Sequence, residues 1–571
     1  MSKQNTMFEN YFNKYNSLKD KNDEFEVRFA TKGKPLTKTD LNNVVEKLLS
    51  NNFKMYKTES YTLKIQPFFK DNKGRLTNIR VEINGLHNIQ NYCKTNKIGN
   101  NENPVFSYVN FNRKSYKKNN NMIYRPIDFE DYNFRVSYQE ESLLTSENLI
   151  VKNIVENWNS LKKSFRLIKR TSFVHDEFPF RVDCSIVKSS KINKDKRTIF
   201  EYNFLDANIS NNVEKYELEI EMINDKVNSN KDLLLLKKGI KVILAGIQQS
   251  NFPITITNQQ EVLQKYIELI YNGEPQQKLP IRPRDFIGPA SVSLELENIR
   301  PYDEEINIVS ITKNYTVTEK ADGLRKLLYI NNNGNLYLIN MNMNVQFTGS
   351  TTKNTSYFNT IIDGEHVLHD KKGNFINLYA AFDIYILNKK ELRSLPLVSK
   401  ETDFRLKYLQ QTINSLNLKG LKTDYSPLRI KYKDFYQGKN IFHHCKEILD
   451  KEENDHFEYE VDGLIFTPAN MGVGVSVGSQ PNNYKKTWNH LFKWKPPKYN
   501  TIDFLVTTKK DSNNREIINN IFEGGTSTSQ IEQLTQYKTL ELRVGFDEHK
   551  HGYLNPCQNI IDDDYPKLSY K

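Results

Sequence analysis

Residues 319–325 read Glu-Lys-Ala-Asp-Gly-Leu-Arg. A lysine, an Asp-Gly pair two residues on and then an arginine combine a nucleophilic amine, a tight turn and a fork of hydrogen-bond donors. An amine attacks only when neutral, so Lys320 needs cationic neighbours that lower its pKa. Gly323 is expected to let the backbone turn tightly beside a ligand. Arg325 has the geometry to fork onto a hydroxyl or an oxyanion. In an isolated surface loop the same string is only a turn, so its companions decide what it means.

Four later segments supply them. Ile362-Asp363-Gly364-Glu365 places a pair of carboxylates on a turn. Ala381-Phe382-Asp383-Ile384-Tyr385 sets an aromatic ring beside an acid. Glu460–Phe466 is an acidic strand that carries Asp462. Leu491–Pro497 alternates Lys493 and Lys495 on one strand face, where they can lower the pKa of Lys320. In this order the segments resemble the motifs of the covalent nucleotidyltransferases. The Lys-Trp-Lys-Pro-Pro form of the last, with Gly288–Leu294 upstream, resembles the mRNA capping guanylyltransferases over about residues 285–505. The resemblance implies that Lys320 takes GMP from GTP as a phosphoramidate. It places Arg325, Asp322, Glu365, Phe382, Asp383, Lys493 and Lys495 around the nucleotide, with Phe382 stacking on guanine, and Asp462 on a divalent metal. Two departures stand out. Ile339-Asn340-Met341 lacks the arginine that related enzymes often carry there. The family's final basic motif is not visible before Lys571, and the expectation is a truncation or a gene split.

The first third reads differently. Glu24, Glu26 and Arg28 alternate with Phe25, Val27 and Phe29, and Glu217, Glu219 and Glu221 alternate with Leu218, Ile220 and Met222. Between them, strand-like runs put Lys64, Arg80, Arg135, Arg166, Arg170 and Arg181 on polar faces, with Arg80 paired to Glu82 and Asp183 beside Arg181. Three glutamates at alternate positions repel one another unless a cation compensates them, and hard divalent cations favour carboxylate oxygens. The pattern resembles the triphosphate tunnel metalloenzymes, and among them the metal-dependent RNA triphosphatases of capping systems, over about residues 20–225. That resemblance implies Mg2+ or Mn2+ held by Glu24, Glu26 and members of the Glu217, Glu219 and Glu221 set. It also implies a triphosphate held by Arg28, Lys64, Arg80, Arg135, Arg166, Arg170 and Arg181.

The remaining features set limits. The chain has 571 residues, a net charge of +12 and 37% hydrophobic residues. The length calls for several domains, and the charge suits an anionic partner. The four cysteines are scattered, as in a reducing compartment. The polar start predicts no leader, and no apolar run of the sequence is long enough for a bilayer. The expected fold is multidomain α+β: a β tunnel over 1–228, a helical segment and linker over 229–284, a nucleotidyltransferase domain over 285–500 and an incomplete OB-fold over 501–571. Residues 229–272 read as helical, with a first helix from about Lys231 and a capping box starting at Thr257. Gly472–Gly478 reads as a mobile loop, His443-His444 as surface or core residues without zinc spacing, and Lys117-Lys118 as a solvated loop.

The expected function is mRNA 5′ capping of 5′-triphosphate RNA with GTP, in a viral factory of the host cytoplasm or in a virion. A cap methyltransferase or the remaining C-terminal region would lie on another chain, and no membrane partner is expected. The alternatives are an ATP-dependent polynucleotide ligase and a non-catalytic scaffold that binds RNA 5′ ends.

Overall fold

The computed structural model describes residues 2–571 except 71–73, 99–107, 120–121, 210–211, 274–279, 304, 306–307, 402, 439, 476–479, 500, 502–503, 521–535 and 544–571. Two compact units emerge, Met1–Ile247 together with Thr501–Lys571, and Gln248–Asn500.

The first unit runs α1 (Ser2–Leu18), β1 (Asp23–Phe29), α2 (Lys38–Ser50), β2 (Lys54–Pro67), β3 (Ile79–Asn84), α3 (Leu86–Thr95), β4 (Val109–Tyr116), β5 (Lys118–Asn119), β6 (Met122–Ile123), β7 (Ile127–Phe129), β8 (Phe134–Leu144), α4 (Leu149–Glu156), β9 (Lys163–Val174), β10 (Phe180–Ser189), β11 (Lys215–Met222) and α5 (Lys231–Gln248). Its sheet follows the order β1-β11-β10-β9-β2-β3-β4-β8, and β8 pairs back onto β1. The ring is therefore closed, and its neighbouring strands are all antiparallel. Strand alternation explains the layers. Phe25, Val27, Leu218, Ile220, Val182 and Phe180 point outward into a core closed by α1, α2 and α5. Leu63, Ile65, Val81 and Phe111 point outward into a second core closed by α3 and α4. The charged alternate residues are left to face inward. This reverses an ordinary barrel, in which apolar side chains fill the lumen.

The second unit contains α6 (Ile256–Ile270) and thirteen strands: β12 (Ala290–Ser293), β13 (Tyr315–Ala321), β14 (Leu324–Ile330), β15 (Asn335–Asn340), β16 (Val345–Thr351), β17 (Thr360–His369), β18 (Phe375–Leu387), β19 (Lys390–Glu391), β20 (Lys419–Gly420), β21 (Arg429–Tyr432), β22 (Tyr436–Gln437), β23 (Val461–Pro468) and β24 (Thr487–Trp494). Helices α7 (Arg405–Ser415) and α8 (Ile441–Glu453) lie between strands of this set. One sheet has the order β12-β24-β23-β13-β22, and the other β19-β18-β17-β14-β15-β16-β20, with β21 beside β18. Helix α6 packs Val262, Tyr266, Ile267 and Ile270 against Leu327, Tyr329 and Ile339 of the second sheet.

The helices expected over 229–272 are α5, which starts at Lys231, and α6. Gln249 takes a left-handed φ of 50° just past α5, and Pro253 follows. The cap of α6 is Thr255, whose hydroxyl accepts from the Asn258 amide at 3.0 Å, in place of Thr257. Lys117 is not merely solvated: its ammonium donates to the buried Asp23 at 2.6 Å. Most of the expected OB-type barrel falls outside the described residues. Within that stretch β25 (Leu505–Thr508) pairs with β28 (Leu540–Arg543), and β26 (Ile518–Asn520) with β27 (Gln536–Lys538).

The seat of α5 on the barrel depends on Gly239, where a Cβ would lie 2.2 Å from Cζ of the fully buried Phe180 ring. Gly239→Val should cost about 2–3 kcal/mol by overpacking, read as a lower midpoint in urea unfolding.

Candidate active site

Strand β13 carries Thr318 and Lys320 toward a cleft, while Val317 and Glu319 face away from it. It pairs with β23 in an antiparallel ladder whose register breaks between Glu319 and Ala321. The break sits opposite Gly463, which has φ +150° and so little room that a Cβ would lie 2.0 Å from the Trp494 carbonyl oxygen. Only glycine fits, and the bulge turns Asp462 toward β13 and Lys320. Asp462 Oδ1 accepts from Lys320 Nζ at 2.6 Å, and Oδ2 meets Lys495 Nζ at 2.6 Å. Burial pushes the Asp462 carboxyl up, but the hydrogen bonds from Lys320 and Lys495 outweigh it and the net shift is downward.

This differs from the expected arrangement. Lys495 reaches Asp462 rather than Lys320, and Lys493, opposite Ile465, makes no ion pair among the described residues. Lys320 is here a hydrogen-bond donor to Asp462.

The cleft is lined by Pro289, Lys320, Arg325, Glu365, Phe382, Lys433 and an apolar set that includes Tyr385, Leu397, Val473, Trp488 and Leu491, and it encloses about 850 Å³ including its mouth. Such a mix suits a flat base with a few fixed polar groups. Phe382 lies over the Arg325 guanidinium at 5.6 Å, with Phe286 at 5.8 Å. Arg325 is not free to fork onto a ligand. Its Nε and Nη2 bind Asp363 at 3.2 and 2.5 Å, and Nη1 donates to the Pro289 carbonyl at 2.5 Å. The Tyr385 hydroxyl also donates to Asp363.

Asp383 is likewise committed. It lies in the cleft wall, but Arg405, fully buried, grips it from Nε at 2.8 Å and from Nη2 at 3.1 Å. Asp322 is exposed at the turn and holds the chain only through its amide, which donates to the Glu460 carbonyl at 2.8 Å. Gly323 has no unusual φ. It is required because a Cβ would meet Glu365 Cγ at 2.9 Å as the turn packs on β17. The glycine-rich loop is pinned where it is described. Arg405 Nη1 donates to the Met471 carbonyl at 3.0 Å, Val473 N to Arg393 O at 2.8 Å, and the Trp488 indole to Val475 O at 2.9 Å. His444 stacks on Tyr436 and pairs with Glu447 at 2.8 Å, away from any metal set.

Glu365 has its pKa raised to about 7, chiefly by burial, against the pull of Lys433, Arg325 and Lys320. Lys433 was not singled out in the sequence. It is buried and lines the cleft, and the alternating run Arg429–Tyr432 before it is the one signal that could have led to it.

In the first unit, Glu24, Glu26, Arg28, Lys64, Arg80, Arg135, Arg166, Arg170, Arg181, Glu217, Glu219 and Glu221 all share the inward face of the ring. The like-charged glutamates are compensated by arginine and lysine. Arg28 lies 3.1 Å from both Glu26 and Glu219. Arg181 bridges Asp183 at 3.2 Å and Glu221 at 2.5 Å, Arg170 holds Asp183 at 3.0 Å, and Arg166 pairs with Glu217. Lys64 takes Glu82 at 2.6 Å, because cross-strand register puts them opposite, and so replaces the expected Arg80–Glu82 pair. Arg135 is held by Asp128 at 2.7 Å. Arg80 is exposed and has no acid partner among the described residues.

Two lumen residues escaped the sequence reading. Lys114 pairs with Glu24 and, at 3.3 Å, with Glu26. Glu141 hydrogen-bonds Glu24. Burial and the Glu24 charge push Glu141 up to about 7, while Glu24, in spite of burial, is drawn down by that bond and by Lys114. Neither Phe-Asn-Arg-Lys-Ser-Tyr nor Gln-Glu-Glu-Ser-Leu-Leu shows a clean alternation.

The lumen donors are of the type a hard cation takes. Glu24, Glu26 and Glu219 lie on adjoining strands, and Gln139, opposite Glu24, has a buried Oε1 with no hydrogen-bond partner. Among the described residues no three acids, histidines or cysteines are gathered around one point, since the glutamates are turned onto Arg28 and Lys114.

Two outcomes follow from the cleft. Arg405→Ala leaves Asp383 buried without its partner and should cost about 3–5 kcal/mol, measured by urea unfolding. Glu365 has a folded pKa of about 7 against an ordinary 4.5, so its burial opposes folding increasingly as pH rises through that window. Glu365→Gln should therefore gain stability relative to the parent between pH 4.5 and 7 and hold a constant advantage above it.

Residues 251–497 match the family model described as mRNA capping enzyme, catalytic domain. A probable mRNA-capping enzyme of Acanthamoeba polyphaga mimivirus is 27% identical over 370 residues, 58% of this chain and 28% of the viral protein. The mRNA-capping enzyme of Danio rerio is 24% identical over 237 residues, 39% of this chain and 35% of the fish protein. The chain thus spans about a third or less of the length of these relatives. A solved RNA triphosphatase domain from a trifunctional mimivirus mRNA capping enzyme is 20% identical, covers 42% of this chain and 96% of its own, and has a TM-score of 0.28. Over residues 251–497 the chain is therefore similar to the catalytic domain of mRNA capping enzymes, and over 370 residues to a probable mRNA-capping enzyme of a mimivirus.

Proposed function

We propose that this chain caps mRNA 5′ ends in two steps, one in each unit. The observation that carries the reading is the Lys320–Asp462–Lys495 bridge at 2.6 Å on each side, set in a cleft with Glu365 and Phe382 on a segment that matches the capping catalytic domain. Lys320 Nζ attacks the α-phosphorus of GTP. An N–P bond forms, the bond to the leaving pyrophosphate breaks, and the amine loses a proton. GMP then passes to the diphosphate end of RNA, and Lys320 is freed. Phe382 offers its face to guanine, Glu365 offers oxygens for the ribose, and Lys495 offers charge to the phosphates once Asp462 is drawn away.

The barrel acts first, removing the γ-phosphate of 5′-triphosphate RNA. Its lumen holds a triphosphate by Arg28, Lys64, Arg80, Arg135, Arg166, Arg170 and Arg181. Mg2+ or Mn2+ held by Glu24, Glu26 and Glu219 in the lumen, and by Asp462 in the cleft, would neutralise charge that develops on phosphate oxygens. The arginines supply fixed positive charge whose cost of ordering is already met in the closed ring.

Lys320→Ala should abolish the acid-labile adduct formed with labelled GTP and leave γ-phosphate release from triphosphate RNA unchanged. An adduct that survives, or one formed with ATP in place of GTP, overturns the assignment. Glu26→Ala or Glu219→Ala should slow γ-phosphate release by about a hundredfold, the worth of one electrostatic stabiliser, and leave guanylylation intact. Release that ignores a chelator would remove the metal from the barrel.

A further inference from the structure

The residue directly before the nucleophile is an acid that the reaction does not use. Glu319 is 3% exposed and lies on the face of β13 turned away from the cleft. A buried carboxylate is costly unless every lone pair is engaged. Here Oε2 accepts from the Thr318 hydroxyl at 2.8 Å, and Oε1 accepts from the Tyr459 hydroxyl at 2.9 Å and meets Lys433 Nζ at 3.3 Å. Lys433 Nζ also donates to the main-chain carbonyl of Glu319, the carbonyl of the peptide that joins it to Lys320. One ammonium therefore grips both the side chain and the backbone of the residue before the nucleophile.

The origin of Lys433 gives this grip its reach. Strand β21 pairs with β18 in one sheet, and β22 pairs with β13 in the other. Lys433 lies in the crossing between them, and its own amide donates to the Ala381 carbonyl of β18 at 2.8 Å. Ala381 directly precedes Phe382, the ring of the cleft wall. A continuous polar chain thus links the Phe382 strand to the peptide that carries Lys320, 7% and 3% exposed at its two charged ends. Tyr459 closes it from the far side, outside the cleft lining.

We propose that Glu319 is a positioning residue: it holds Lys433 on the carbonyl before Lys320 and so fixes the strand from which the nucleophile reaches the α-phosphate. It touches neither nucleotide nor reacting atoms. Its removal should act on the rate of N–P bond formation more than on GTP affinity, because misplacing a reacting group by a fraction of an ångström lowers the rate without removing the contacts that bind substrate. The inference rests on the reading of Lys320 as the nucleophile.

The test uses the full chain, labelled GTP and Mg2+ or Mn2+. Glu319→Gln keeps one acceptor oxygen for Thr318 or Tyr459, turns an amide donor toward the other hydroxyl and loses the charge that holds Lys433. Single-turnover adduct formation should fall by about tenfold or more, with the GTP dissociation constant within about threefold. Tyr459→Phe removes one anchor, and its smaller rate loss should again leave GTP binding unmoved. Glu319→Asp restores the charge at shorter reach, and its rate should lie between Gln and the parent. Parental rates in both Glu319→Gln and Tyr459→Phe overturn the proposal, as does a rate loss matched by an equal loss of GTP binding. If Glu319→Gln does not fold, Tyr459→Phe decides by the same two readings. A parent chain that forms no adduct at all refutes the nucleophile itself, a result distinct from parental rates in the variants.

Discussion

Asp462 is the carboxylate on which the cleft is organised. It reaches Lys320 from β23 and Lys495 from just past β24, so three chain segments converge on two oxygens. That convergence depends on Gly463, since any Cβ there would strike the Trp494 carbonyl and the bulge that turns Asp462 could not form. Two ammonium groups on one acid also set the resting state. Both lysines are held in place by its two oxygens.

The barrel solves a related problem on a larger scale. A closed ring of alternating strands must put one set of side chains inside. The outer set here is apolar and covered by helices, so the charged set takes the lumen. Half-buried charges persist only when opposite charges meet them. Arg28 between Glu26 and Glu219, and Arg181 between Asp183 and Glu221, do this across strand boundaries. The lumen is thereby rigid and already charged, which is the condition under which a highly charged ligand can be held at little cost of reorganisation.

Buried ion pairs also fix the cleft walls. Arg405 on Asp383 ties β18 to the loops at Leu395 and Met471, and Arg325 on Asp363 ties β14 to β17 and to Pro289. Such pairs add little net stability, but they are costly to break singly. They choose one arrangement of the walls over others that an apolar core would tolerate.

The sequence by itself determined the α+β class, the nucleotidyltransferase motifs in their order and the inward face of the barrel strands. These follow from short-range rules: a two-residue strand period, the turn chemistry of Asp-Gly, and the fixed spacing of Lys320, Asp322 and Arg325. It also placed Lys320 and Asp462 in one site. Only the tertiary structure decided who pairs with whom. Register gave Glu82 to Lys64 instead of Arg80, and Arg28 to Glu219 between β1 and β11. It committed Arg325 to Asp363 and Asp383 to Arg405, left Asp322 exposed, and brought in Lys433, flanked by one alternating run, with Glu141 and Lys114, which no local pattern marked. The physical reason is that a charge seeks its partner through space. The partner's distance along the chain, whether 2 residues as for Arg28 and Glu26 or 142 as for Lys320 and Asp462, has no bearing on the energy of the contact.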